Sequence, residues 1–93
     1  MTGPRVEVYA TPFCPYCMRA RDLLERKGVA YAEIRVDRDL EKRREMENRS
    51  KRRTVPQIFI GDYHVGGYDD LAALDRTGRL DALLEPILNA ARA

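Results

Sequence analysis

A short alternating stretch, V6-E-V-Y-A10, runs straight into T11-P-F-C-P-Y-C17, which holds the chain's two cysteines. No other feature constrains the fold as strongly. Arg5–Ala10 puts Val6 and Val8 on one face, the period of a strand. From Cys14 the period changes: Cys17, Ala20, Leu23 and Leu24 share one face of a helix of about four turns, which Lys27 and Gly28 close. Y31-A-E-I-R-V36 then reads as a second strand. Two strands joined by a helical crossover make a βαβ unit, parallel and right-handed.

The remainder continues the alternation. D39-L-E-K-R-R-E-M-E-N-R-S50 predicts a solvent-facing helix anchored by Leu40 and Met46, with Asp39 paired to Arg43 and Glu45 to Arg49. P56-Q-I-F-I60, a Gly61-Asp62 turn and Y63-H-V65 form a hairpin. Gly66-Gly67 breaks the chain before Asp69 and Asp70, which cap a helix running through Leu71 and Leu74 to Gly78. Leu80, Leu83, Leu84, Ile87 and Leu88 repeat at the spacing of a core-facing helix, which Pro86 should kink or shorten. The order is βαβαββαα, a single α/β domain over 1–93, with loosely ordered tails expected at 1–4 and about 89–93.

Composition removes several classes of function. With 93 residues and 44% apolar content, one modest core is attainable and two domains are not. No apolar run approaches the ~20 residues of a membrane helix, and the start carries no signal-peptide core. A cytoplasmic protein without a membrane partner is expected. There a close cysteine pair is catalytic or metal-binding rather than a permanent staple. The net charge of +2 gives no strong nucleic-acid signal, and no nucleic-acid partner is expected.

Cys14 stands where strand becomes helix, with Pro15 at the first helical position, where its missing N–H costs nothing. A sulfur there faces unpaired backbone N–H groups and the positive end of the macrodipole, which favour thiolate over thiol. Cys17 lies one turn further in, with the two Cβ atoms about 5–6 Å apart. The pair can therefore close and reopen a disulfide without refolding the helix. An exposed, activated Cys14 is expected to attack, and an enclosed Cys17 to resolve. Zinc competes poorly: a structural site wants four ligands, and the chain adds only His64, read as an ordinary strand residue. No metal site is expected.

Three motifs in order, T11-P-F-C-P-Y-C17, T54-V-P56 and G66-G-Y-D-D70, resemble those of the dithiol glutaredoxins, over about Val6 to Leu84. The resemblance implies a thioredoxin-like fold, a four-stranded mixed sheet flanked by α-helices. It also implies glutathione as co-substrate, with no cofactor bound permanently. On the same resemblance, Cys14 is the nucleophile, Cys17 the resolving thiol and Pro56 a cis-proline facing Cys14. Val55 pairs through its backbone with the cysteinyl part of glutathione, and Tyr16 walls the groove. Arg52 meets the glycine carboxylate, and Asp69 and Asp70 hold the γ-glutamyl end. Thr54 and Gly67 complete the glutathione-binding set.

One position departs from the pattern. Thr11 stands where relatives commonly carry Lys or Arg; Arg52 is the natural substitute, with Arg19 and Arg21 as further candidates. Tyr68 replaces a cysteine found in some relatives. The implied activity is glutathione-dependent reduction of protein–glutathione mixed disulfides by Cys14, and of protein disulfides by Cys14 with Cys17. Glutathionylated or disulfide-containing proteins are the partners, met by a monomer. Two rivals stand beside it, a thioredoxin-type reductase and a glutathione-ligated [2Fe–2S] carrier. The C-P-Y-C and G-G-Y-D-D stretches argue against the first, and Pro15 against the second.

Overall fold

The computed structural model describes residues 5–92. Strand β1 (Val6–Ala10) leads into helix α1 (Pro15–Arg26), then β2 (Tyr31–Arg35), α2 (Leu40–Ser50), β3 (Gln57–Ile60), β4 (Tyr63–Gly66), α3 (Tyr68–Arg76) and α4 (Arg79–Arg92). The four strands form one sheet in the order β2-β1-β3-β4. β1 is parallel to β2 and antiparallel to β3, and β3 is antiparallel to β4. The sheet is mixed because the helical crossover forces the first pair parallel, while the Gly61-Asp62 turn forces the last antiparallel. This is the thioredoxin-like arrangement that the motifs imply.

The pleat of β1 sorts its side chains into two layers. Val6, Val8 and Ala10 face a core shared with Cys17, Ala20 and Leu24 of α1, Ile58 and Ile60 of β3, and Leu71, Leu80 and Leu84 of α3 and α4. Tyr9 faces the other side with Val36, Met46 and Phe59, under α2. The leucine stripe of α4 packs as its spacing predicts, with Leu80 and Leu84 fully buried.

Pro86 neither kinks α4 off the core nor ends it; the helix runs on to Arg92. Both Pro86 and Ala82, whose carbonyl loses its N–H partner, lie on the exposed face, where that oxygen is open to solvent. Residues 89–92 therefore belong to α4 rather than to a tail, and 1–4 and 93 lie outside the described residues.

Helix α2 differs most from expectation. Leu40 is 62% exposed and anchors nothing; Met46 and Ser50 are the buried positions. Asp39 is the N-cap, accepting from the backbone N–H groups of Glu41 and Lys42, so its carboxylate is not committed to Arg43. Arg43 pairs with Glu47 at 3.3 Å and donates to the Arg53 carbonyl at 3.0 Å. Arg49 turns under the sheet to Glu7 at 3.0 Å and the Tyr9 hydroxyl at 2.8 Å, its guanidinium 3.9 Å above the Phe59 ring. Glu45 accepts from the same Tyr9 hydroxyl. Burial, and then the Glu45 carboxylate, push Tyr9 up to about 12, so it stays a neutral donor.

Two substitutions separate the core from the surface. Leu84→Ala empties a fully buried site and is expected to cost about 2–5 kcal/mol. Leu40→Ala removes an exposed side chain and is expected to stay within about 0.5 kcal/mol. Urea unfolding of both variants measures the difference.

Candidate active site

Three segments meet at one end of the sheet: the β1–α1 junction, the loop entering β3 and the β4–α3 junction. Each is set by local chemistry. Cys14 is the N-cap of α1 with extended backbone, and its Sγ accepts the Cys17 N–H at 3.1 Å. A cysteine thus fills the position that Ser, Thr, Asp or Asn usually takes. Pro15 follows at the start of the helix, as its missing N–H permits. The Val55–Pro56 peptide is cis, and the Val55 carbonyl lies 3.9 Å from Cys14 Sγ.

The structure corrects one expectation here. Cys14 is not exposed: only 8% of its surface is accessible, because the Val55–Pro56 loop lies against it and its neighbours belong to the main core. Cys17 is fully enclosed. Burial, and then the Cys14 sulfur beside it, push the Cys17 thiol up to about 12. The two thiols, both free, are therefore different in kind: one caps a helix at a rim, the other is a neutral thiol inside.

A cleft of about 200 Å³ adjoins Cys14, lined by Tyr16, Arg52, Thr54, Val55, Pro56, Gly67, Asp69 and Asp70, together with Tyr68. Every groove residue read from the sequence thus lines one concavity. Three larger hollows, about 430 Å³ beside Asp22, Glu25 and Arg26, about 470 Å³ along Asp81–Asn89 and about 280 Å³ among Glu47, Lys51, Arg52 and Arg53, include no residue of the Val55–Pro56 loop that lies against Cys14. The cleft with the chemistry is the smallest of these.

Its charges are arranged in opposition. Arg52 Nη1 meets Asp70 Oδ2 at 3.2 Å, and the same oxygen accepts the Gly67 N–H at 2.9 Å, closing the N-terminus of α3. That N–H first, and then the Arg52 guanidinium, hold the Asp70 carboxyl below its usual range, so it is ionised at neutral pH. Asp70 is thus both a helix cap and a groove acid, whereas Asp69 is simply exposed at the rim. Tyr16 and Tyr68 have ring centroids 6.4 Å apart and form an aromatic wall, with the Arg19 guanidinium 5.4 Å from the Tyr16 centroid. Arg21 is committed to Glu33 at 2.9 Å. Of the cations considered as substitutes at Thr11, Arg52 alone lines the cleft.

Two positions escaped the sequence reading. Tyr68 appears there only as a replaced cysteine, yet its ring lines the cleft. Gly66 has φ +113°, and a Cβ on it would overlap the Asp70 carboxylate and lie 3.1 Å from Arg52 Nη1. The Gly-Gly pair signals a turn; only the fold shows that the first glycine makes room for the ion pair.

Comparison with known proteins gives the family and the fold. The family model described as Glutaredoxin matches residues 6–65. A glutaredoxin of Pseudomonas aeruginosa is 56% identical over 81 residues, spanning 87% of this chain and 96% of the relative. Glutaredoxin 3 of Escherichia coli K12 is 55% identical over 80 residues, spanning 86% and 96%. Among solved structures, the buckwheat glutaredoxin–glutathione complex superposes with a TM-score of 0.82 at 29% identity, over 90% of this chain and 79% of that one. The solution structure of glutaredoxin from Brucella melitensis gives 0.76 at 55% identity, over 86% and 87%. The chain belongs to the glutaredoxin family of thiol–disulfide oxidoreductases.

Proposed function

We propose that Cys14 is the nucleophile of a glutathione-dependent reduction and that the adjoining cleft holds the glutathionyl group. The observation that carries this is the placement of a helix-capping sulfur beside a cleft lined by one cation, Arg52, and two acids, Asp69 and Asp70. Glutathione has two carboxylates and one ammonium, so its site needs donors at both ends and an acid. Arg52 supplies a cation for the glycine carboxylate. The start of α3 supplies N–H groups for the γ-glutamyl carboxylate, with Asp69 and Asp70 for the ammonium. Val55 pairs by its backbone with the cysteinyl residue as an added strand does. Tyr16 and Pro56 wall the thiol, with Thr54 and Gly67 shaping the two ends.

The chemistry then divides between the thiols. With a glutathionylated protein, Cys14 thiolate attacks the glutathione sulfur, the protein thiolate leaves, and a Cys14–glutathione disulfide forms. A second glutathione thiolate attacks that disulfide, releasing oxidised glutathione and Cys14 thiolate. With a protein disulfide, Cys14 forms a mixed disulfide with the target. Cys17, on losing its proton, displaces the target, leaving Cys14–Cys17 oxidised until glutathione reduces it. Holding the tripeptide with its sulfur aligned on Cys14 makes the first attack effectively intramolecular. Among the described residues no helix is long and apolar enough to cross a membrane. The reading assigns a monomer acting in the reducing cytosol.

Turnover of a glutathionylated peptide with glutathione, NADPH and glutathione reductase tests this directly. Cys14→Ser is expected to fall to background, and Cys17→Ser to retain activity while losing reduction of a protein disulfide. A silent wild type sinks the reading and favours a thioredoxin-type reductase.

The groove and the second thiol have their own signatures. Asp70→Asn is expected to raise KM for the glutathionylated peptide about tenfold, the loss of one charged hydrogen bond, with kcat little changed. Gly66→Ala is expected to raise KM similarly and also to destabilise the fold by about 1–3 kcal/mol, because its backbone is then strained. In Cys14→Ser protein, burial alone should keep Cys17 protonated. Alkylation by iodoacetamide is then expected to stay slow, with no titration step between about pH 6 and 9. A step in that range contradicts the raised value.

A further inference from the structure

Gln57 is fully buried, directly after the cis-proline, and both ends of its amide are used. Its nitrogen donates to the Thr54 carbonyl at 3.0 Å and to Thr54 Oγ1 at 3.2 Å, and its Oε1 lies 2.8 Å from His64 Nε2. These bonds determine each other. A carbonyl can only accept, so the amide must turn its NH2 to Thr54 and its oxygen to His64. His64 must then carry its proton on Nε2. The imidazole is in turn stacked on Phe59, with centroids 4.8 Å apart and planes 24° from parallel.

The consequence lies in the peptide between Thr54 and Val55. The cis bond in this loop is Val55–Pro56, so Thr54–Val55 is trans and planar, and its C=O and N–H point in opposite directions. Gln57 draws the Thr54 carbonyl inward. The Val55 N–H is thereby turned away from Gln57, and Val55 itself lines the cleft. We propose that Gln57, oriented by His64, is a positioning residue that fixes the Val55 N–H as a hydrogen-bond donor to the bound glutathionyl group. Neither side chain touches the ligand; both act through the Thr54–Val55 peptide. This assignment rests on the cleft being the glutathione site.

The test separates positioning from simple stability. Gln57→Met keeps the volume but removes both bonds. His64→Phe keeps the stacked ring on Phe59 and removes the donor. His64→Gln restores a donor nitrogen near the Nε2 position. In the glutathionylated-peptide assay, Gln57→Met and His64→Phe are expected to raise KM about fivefold, the equivalent of one neutral hydrogen bond, with kcat within twofold. His64→Gln is expected to return KM towards wild type. Thermal unfolding of each variant is read in parallel. Lowered stability with unchanged KM in His64→Phe, or a KM in His64→Gln equal to that of His64→Phe, overturns the proposal even if Gln57→Met fails to fold. A silent wild type instead overturns the glutathione reading, so the two failures are distinct.

Discussion

The hydrogen bond from the Cys17 N–H to Cys14 Sγ ties the reagent to the scaffold, since the same sulfur caps α1 and carries the proposed chemistry. An N-cap contributes about 1 kcal/mol to a helix, and the macrodipole adds some tenths more for an anion at that end. The reagent is therefore held in position by forces that build the fold. β1 fixes where this happens: it is paired on both sides and covered on both faces, so its last residue can shift little. Helix α1 begins five residues beyond it, with Cys17 as its first side chain to enter the core. The inner thiol is buried because the helix needs an apolar residue there. Burial then makes it a poor anion, and so the slower partner.

Opposite the sulfur, the cleft is held by forces weak enough to be exchanged. The Arg52–Asp70 pair is about half exposed on both partners, 49% and 48%. Such a pair contributes only about 0–1 kcal/mol. A ligand that brings its own carboxylate and ammonium can take over both partners at little cost. The Gly67 N–H keeps Asp70 in place meanwhile, and the missing Cβ at Gly66 leaves room for it. The cleft is preorganised by backbone and only loosely closed by charge.

Much of this was legible in the sequence where the signal is local. The strand-to-helix change at Cys14, the Gly-Asp hairpin and the leucine stripe of α4 are signals of adjacent residues; the parallel β1–β2 pair follows from them with the crossover rule and the β3–β4 pair from the turn, whereas the pairing of β3 with β1 does not. The groove residues other than Arg52 came as a set because three short motifs, not a pattern of hydrophobicity, carried them. What stayed hidden was long-range. Arg49 looks like a partner for Glu45 four residues earlier, yet it turns under the sheet to Glu7, 42 residues away. Leu40 looks like an anchor, but the Asp39 cap starts the helix so that Leu40 faces water. The burial of Cys14 depends on the Val55–Pro56 loop, distant in sequence, folding against it.

The two faces of the sheet reach specificity by different means. Under α1, α3 and α4 the packing is apolar and tolerant, since many side chains of suitable volume can fill it. Under α2 it is a chain of polar groups, Glu45 to Tyr9, Arg49 to Glu7 and over Phe59, His64 to Gln57, and Gln57 to Thr54. Among the described residues no buried side-chain nitrogen or oxygen lacks a partner. A network of this kind has few alternative arrangements, because any displaced member leaves a buried group unsatisfied at about 1–3 kcal/mol. Helix α2, with little apolar surface beyond Met46, is located by that network together with the packing of Met46. The same constraint reaches the loop at Thr54, so the geometry of the groove is set from the face of the sheet that never meets the thiols.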